Sequence, residues 1–352
     1  MTADTTEVVF DVTFIGAGPV GLYGLYYAGL RMMKAAAIDM LGHVGGGLAA
    51  LYPEKYIYDV GGFPRIMAKD LVAQLRSQAE QYPFSLYLQQ RVTNLKRRDD
   101  GLIELTTDES AYLSRTVVIC AGLGAYIPRT LDVPDVKGLE GKGVFYFVRQ
   151  PDMFRDRQVL IVGGGDAAFD YALMLEPLAR GVTLIHRNDF FSAHEDTVEK
   201  VRESSVIMKY PFWELERVEG VERVKQAAII NSRSGERLAL EIDALILNIG
   251  FITNLGPIAD WGLTLEKNAI MVDSRMRTNI EGVFAAGDIV TYEGKLKLIA
   301  TGFGEVAVAV NNAKNYIDPR AAVSPGHSTD KHVLAQKKLA RSRRESSDEE
   351  RK

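Results

Sequence analysis

The feature that most constrains this chain is a glycine turn that occurs twice. The largely apolar run Val9-Phe10-Asp11-Val12-Thr13-Phe14-Ile15 breaks into Gly16-Ala17-Gly18-Pro19-Val20-Gly21, an apolar stretch follows, and Ala37-Ile38-Asp39 closes the unit. This reads as a buried strand, a tight turn opening a helix, and a second strand ending in an acid. In that reading Gly16 makes the turn, Gly18 lets backbone amides approach a pyrophosphate, and Gly21 lets helix and strand pack closely. The positive end of the helix then faces the phosphates. Asp39, about twenty residues further on, stands where a carboxylate accepts hydrogen bonds from the hydroxyls of an adenosine ribose.

A second unit of the same design starts near Arg157. Val159-Leu160-Ile161-Val162 runs into Gly163-Gly164-Gly165-Asp166-Ala167-Ala168, an apolar helix continues to Leu178, and Val182-Thr183-Leu184-Ile185 ends in His186-Arg187. Ala168 takes the third glycine place, which still permits close helix packing. No acid closes this second strand. A carboxylate there would repel a 2′-phosphate, whereas His186 and Arg187 can receive one, so the unit leans to NADP over NAD. The other reading of Arg187 is a solvated surface arginine.

With 352 residues, 47% of them hydrophobic and 25% charged, the chain is long enough for two ordinary domains. A net charge of -4 argues against general nucleic-acid binding. The one cysteine, Cys120, ends the apolar run Thr116 to Ile119 and reads as a core thiol; no disulfide and no metal-ligand cluster is expected, which fits a cytoplasmic location. Val12 to Leu30 lacks charge but is broken by Gly16, Gly18, Pro19 and Gly21, so neither a membrane span nor a signal peptide is expected.

Between the units, Gly42 to Leu48 reads as a flexible loop, and Ala49 to Pro64 carries Tyr52, Tyr56, Tyr58 and Phe63, suited either to packing or to laying a ring on a flat cofactor. Residues 68–82 read as an amphipathic helix, followed by strands at 85–88, 92–96, 103–106 and 117–120. Strands are expected again at 227–230 and 244–249. Phe284-Ala285-Ala286-Gly287-Asp288 then places a carboxylate at a strand's C-terminal edge, where α/β sheets bind ligands. Leu298 to Val310 reads as a loop entering a helix, whose N-terminus suits negative charge. The tail from Ala335 is rich in Lys, Arg, Glu and Ser and is expected to fray. Two dinucleotide units in one chain, one set between parts of the other, suggest one dinucleotide kept, FAD, and one exchanged, a nicotinamide.

The two glycine motifs, Leu51-Tyr52-Pro53-Glu54-Lys55-Tyr56-Ile57-Tyr58-Asp59-Val60, and Gly287-Asp288 followed by Lys295 to Glu305 together resemble the thioredoxin-reductase-like ferredoxin to NADP reductases over roughly residues 9–330. The resemblance implies an α/β fold of two Rossmann-like domains: FAD domain 1–124 and 279–330, inserted NAD(P)H domain 125–278, and a charged tail 331–352. It implies a cytoplasmic homodimer with one FAD per chain, NADPH as coenzyme, and ferredoxin or flavodoxin as partner. Hydride would pass to flavin N5, and electrons would leave singly. On FAD it places Asp39 at the ribose, Tyr52 on one flavin face, Val92 and Tyr126 along the cofactor, and Asp288 at the ribityl or pyrophosphate part. His327 would cover the other face, with Thr329 beside it, both supplied by the partner subunit. Tyr52 and His327 would tune stacking and gate access, with no acid or base required. Gly163, Gly165, Asp166, Ala168, His186 and Arg187 would meet NADPH.

Thioredoxin reductases carry a Cys-x-x-Cys pair where this chain has Phe145-Tyr146-Phe147-Val148-Arg149, so electrons have no dithiol to pass through. Three positions depart from the family: Gly47 replaces glutamine beside the flavin, and Asn188 and Ser192 replace arginines expected at the 2′-phosphate. Lys55, Arg65 and Lys295 are basic side chains that either meet an acidic carrier protein or are plain surface charges. The motifs leave two other readings open: a reductase of a quinone, free flavin or iron chelate, and a non-catalytic redox-sensing flavoprotein.

Overall fold

A computed structural model describes residues 8–122 and 124–326. These fall into two compact units, one of residues 8–44, 74–122 and 257–326, the other of 45–73 and 124–256. The sequence-based boundaries differ in two segments. Residues 257–278 join the first unit, where the Trp261 indole donates to the Thr93 carbonyl at 3.2 Å. Residues 45–73 join the second, where the Lys55 ammonium lies 2.5 Å from the Asp170 carboxylate. His327, Thr329 and the tail 331–352 lie outside the described residues.

The first unit is built on a seven-stranded sheet. Val9–Ile15 lies at its centre, parallel to Ala35–Ile38 on one side and to Ala111–Ile119 on the other. Phe84–Tyr87 extends one edge, and the hairpin Val92–Arg97 and Ile103–Thr107 extends the other. Val283–Ala285 pairs with the C-terminal part of Ala111–Ile119. The central strand is apolar because both sheet faces are covered: Phe10, Val12, Phe14 and Ile15 are all buried. Helices Pro19–Leu30 and Ile299–Ile317 pack against each other and against this sheet. Because the chain leaves the central strand toward one neighbour and returns on the other, the strand's C-terminal end is a switch point, the usual ligand crevice of such sheets.

The second unit repeats this around five parallel strands in the order Val144–Phe145, Ala244–Asn248, Gln158–Gly163, Gly181–Ile185, Ile207–Lys209. Alternation along the central strand divides its side chains between two cores. Val159 and Ile161 pack with Phe169, Leu175, Val198 and Val201 from helices Asp166–Leu175 and Glu195–Glu203. Leu160 and Val162 pack with Trp213, Leu215, Val218 and Ile229 from an antiparallel sheet of Trp213–Gly220, Val224–Asn231 and Arg237–Glu241. Of the segment expected as a flexible loop, residues 42–45 are irregular, whereas 46–48 belong to the helix Gly46–Leu51. Gly45, at φ 103°, turns the chain so that Leu48 and Leu51 are buried. Among the described residues no helix is long and apolar enough to cross a membrane.

Candidate functional site

In the first unit the switch point is closed by backbone approaches that leave no room for side chains. Gly16 sits at φ 107°, and a Cβ there would lie 2.5 Å from the Cys120 carbonyl oxygen. A Cβ on Gly21 would lie 2.0 Å from the Gly16 carbonyl oxygen. The helix Pro19–Leu30 begins at Gly18 with no side-chain cap and no acid in its first turn, so its leading amides face a potential anion. Asp39 follows the second strand and is 8% exposed; its carboxylate accepts from the Ala17 amide at 2.6 Å and the Leu41 amide at 2.8 Å. Burial raises its pKa, and the two amides oppose that rise. An ionised carboxylate has about four acceptor positions, so Asp39 can hold the turn and still accept from a ribose.

Beyond Val283–Ala285, the Gly287 amide donates to Glu305 Oε2 at 2.8 Å. Glu305 also accepts from the Tyr292 hydroxyl at 2.6 Å and from the Lys295 ammonium at 2.5 Å. The Lys295 and Glu305 side chains are only 5% and 4% exposed, so a charged network braces the turn that presents Asp288. Burial raises the pKa of Asp288, while Lys295 and Lys297 favour its charged form. Lys295 is therefore an internal cation, not the surface charge weighed from sequence. Its partner lies nearly two turns into helix Ile299–Ile317, and only the pairing of a basic residue with a helix glutamate about ten residues on hinted at it. Burial, with Glu305 nearby, also pushes the Cys120 thiol well above its ordinary range, leaving it protonated and inert.

The remaining residues expected at a flavin are dispersed along the chain. Val92 is buried at the start of its strand. Gly47 lies in the helix Gly46–Leu51, and Tyr52 caps that helix with the Lys55 ammonium 5.6 Å from its ring centre. Tyr126 is described only as backbone, in the strand Ala125–Pro128.

The second unit carries its own turn. A Cβ on Gly163 would lie 2.5 Å from the Asn248 carbonyl oxygen and 2.8 Å from the Ala168 Cβ, so helix and strand meet where the third glycine place holds alanine. Gly165 caps the helix Asp166–Leu175, again with no side-chain cap. The His194 amide and Nδ1 reach Asp166 Oδ1 at 2.9 and 2.8 Å. Burial opposes ionisation of Asp166, but the His194 bonds prevail and lower its pKa; that of His194 is raised by the same contact.

His186 and Arg187 divide in role. The His186 ring lies against the turn, where a Cβ on Gly164 would come within 2.1 Å of it, and Nε2 donates to the Phe190 carbonyl at 3.1 Å. Burial, with Arg187 nearby, lowers its pKa, while the bond to the Phe190 carbonyl opposes that fall. Arg187 is exposed. Ser192 donates from its amide and hydroxyl to the Gly164 carbonyl at 2.9 and 3.3 Å. His194 and Ser192 fix the turn through hydrogen bonds that sequence spacing does not reveal.

The chain matches the family model described as pyridine nucleotide-disulphide oxidoreductase over residues 10–313. It is 49% identical over 329 residues to a ferredoxin–NADP reductase of Geobacillus kaustophilus, covering 94% of this chain and 99% of that protein. It is also 49% identical over 321 residues to ferredoxin–NADP reductase 2 of Bacillus subtilis, covering 91% and 96%. Among solved structures, a thioredoxin reductase of T. acidophilum superposes with a TM-score of 0.76 at 26% identity, covering 89% of this chain and 99% of that one. A thioredoxin reductase of Lactococcus lactis shares the fold, with a TM-score of 0.77 at 24% identity over 88% and 99%. Matched along nearly its whole length in both sequence and fold, the chain belongs to the pyridine nucleotide-disulphide oxidoreductase family and, within it, to the ferredoxin–NADP reductases.

Proposed function

We propose that the chain is an FAD-dependent oxidoreductase passing electrons between NADPH and ferredoxin or flavodoxin. The observation that carries this reading is a combination: a glycine turn at the switch point of each sheet, in a chain whose single cysteine is buried. Relatives matched along nearly their whole length bear the name of that activity. FAD fits the first unit because the turn closes only with glycine at 16 and 21, where a Cβ would strike the Cys120 and Gly16 carbonyls, and this closure sets the uncapped helix start at the switch point. There Gly16 and Gly21 would shape the turn, Gly18 would let backbone amides meet the pyrophosphate, Asp39 would hold the ribose, and Asp288 the ribityl or pyrophosphate part. When bound, FAD supplies a group that accepts two electrons from a nicotinamide and releases them one at a time.

The chain's residues bind and orient. Tyr52 and His327 would cover the flavin and gate access to it, and Gly47, Val92, Tyr126 and Thr329 would line the cofactor, with His327 and Thr329 supplied across a homodimer. In the second unit Gly163, Gly165, Asp166 and Ala168 shape the NADPH turn, His186 buttresses it, and Arg187 pairs with the 2′-phosphate. With one cysteine in the sequence there is no dithiol relay, so an acceptor would have to take its electrons from the bound cofactor itself. The protein works in the cytoplasm.

The test is turnover of purified protein with NADPH and, separately, ferredoxin, flavodoxin, a quinone, free flavin and an iron chelate. Fastest reduction of a carrier protein supports the reading; failure to reduce either carrier overturns it.

A further inference from the structure

The loop that follows Arg187 is pinned on several sides. His186 holds the Phe190 carbonyl, and Ser192 holds the Gly164 carbonyl twice. The Phe191 ring meets Phe169 at 4.9 Å and Tyr210 at 4.6 Å, both edge-on. These anchors leave Phe190 65% exposed, on a fixed backbone beside the glycine turn. In units of this kind the end of the second strand receives the adenosine half of a dinucleotide.

Resting on the reading that this unit takes NADPH, we propose that Phe190 is the stacking face for the adenine ring of the nicotinamide coenzyme. A phenyl ring held out in water by an ordered loop gains from covering by a planar base, and base–aromatic stacking needs no hydrogen-bond code. Adenine is common to NADPH and NADH, so this contact is blind to the 2′-phosphate, whereas the Arg187 guanidinium senses only the phosphate. Coenzyme affinity thus divides between a ring that reads the base and a cation that reads the phosphate. With Asn188 and Ser192 at the remaining loop positions, the ring carries the larger share that is independent of phosphate.

The test is Phe190→Ala in the full-length protein. KM is expected to rise about tenfold for NADPH and for NADH alike, with kcat held, as loss of one stacked base implies. Calorimetric dissociation constants for 2′,5′-ADP and 5′-AMP should rise in parallel, and Phe190→Trp should restore them. Unchanged KM values, or a rise confined to NADPH, would overturn the assignment. Failure of the NADPH reading beneath it is visible separately, as wild-type protein that binds no 2′,5′-ADP at all.

Discussion

The two glycine turns share a backbone design and differ in what stands behind it. Behind the first, charge is buried: Asp39 is 8% exposed, and Lys295 and Glu305 form a closed pair that also holds Tyr292 and the Gly287 amide. At the second, the charges nearest the turn stand in water: Arg187 is exposed, and the Asp166 and His194 side chains are 43% and 73% exposed, although the Lys55–Asp170 pair one helical turn further on is 21% and 18% exposed. Buried charges hold one geometry because any displacement leaves them unpaired. Exposed charges are solvated with or without a partner, so they meet and release a ligand with little reorganisation. The first arrangement suits a dinucleotide that stays, the second one that is exchanged.

The sharpest way to break this contrast is Glu305→Leu, which strands the Lys295 ammonium in the interior. Stability should fall by about 3–5 kcal/mol in urea unfolding, with FAD lost on gel filtration, and Lys295→Met/Glu305→Leu should recover most of it. A single variant as stable as its parent would show that burial of this charge does not matter. Next in size, Arg187→Ala should raise KM for NADPH roughly ten- to a hundredfold, the worth of a charge-assisted contact of about 1.5–3 kcal/mol, and leave NADH unchanged. Asn188→Arg should move NADPH alone in the opposite direction. Equal changes for both coenzymes would place these side chains away from the phosphate.

The smallest effect belongs to the exposed pair. The pKa of His194 is raised above 6.5, chiefly by its hydrogen bond to Asp166, with Asp59 and Glu195 adding to the rise; that of Asp166 is lowered below 3.8. The histidine's contribution is therefore full below pH 6.5 and lost as pH rises through its folded pKa, while the aspartate's is present above 3.8 and lost in more acid solution. The urea midpoint of wild type should exceed that of His194→Gln most between these limits and converge with it in alkali. A gap that widens with pH would remove the ion pair as its cause.

Much of the fold was legible because both central strands are covered on two faces, which demands uninterrupted apolar runs such as Val159 to Val162, each ended by a glycine turn. The antiparallel sheet was less so. Trp213–Gly220 interleaves glutamates and Arg217 with its buried Leu215 and Val218, and a one-sided strand of that kind resembles a solvated loop. The site divided in the same way. Turn glycines and Asp39 announce themselves by spacing, whereas the partners of Lys55, Arg65 and Lys295 come from elsewhere in the chain. Lys55 meets Asp170, the Arg65 guanidinium lies 4.8 Å from the Tyr56 ring centre, and Lys295 meets Glu305. Three basic residues that look alike in sequence thus have three different environments.

The most direct measurement is an anaerobic titration of wild-type and Cys120→Ala protein with NADPH, then with oxidised ferredoxin, following the visible flavin band. Both proteins are expected to be yellow as purified, to bleach with NADPH and to regain colour with ferredoxin. A colourless chain that takes up no FAD, or a Cys120→Ala protein that bleaches but cannot return its electrons, would contradict electron transfer through a bound flavin without a sulfur relay.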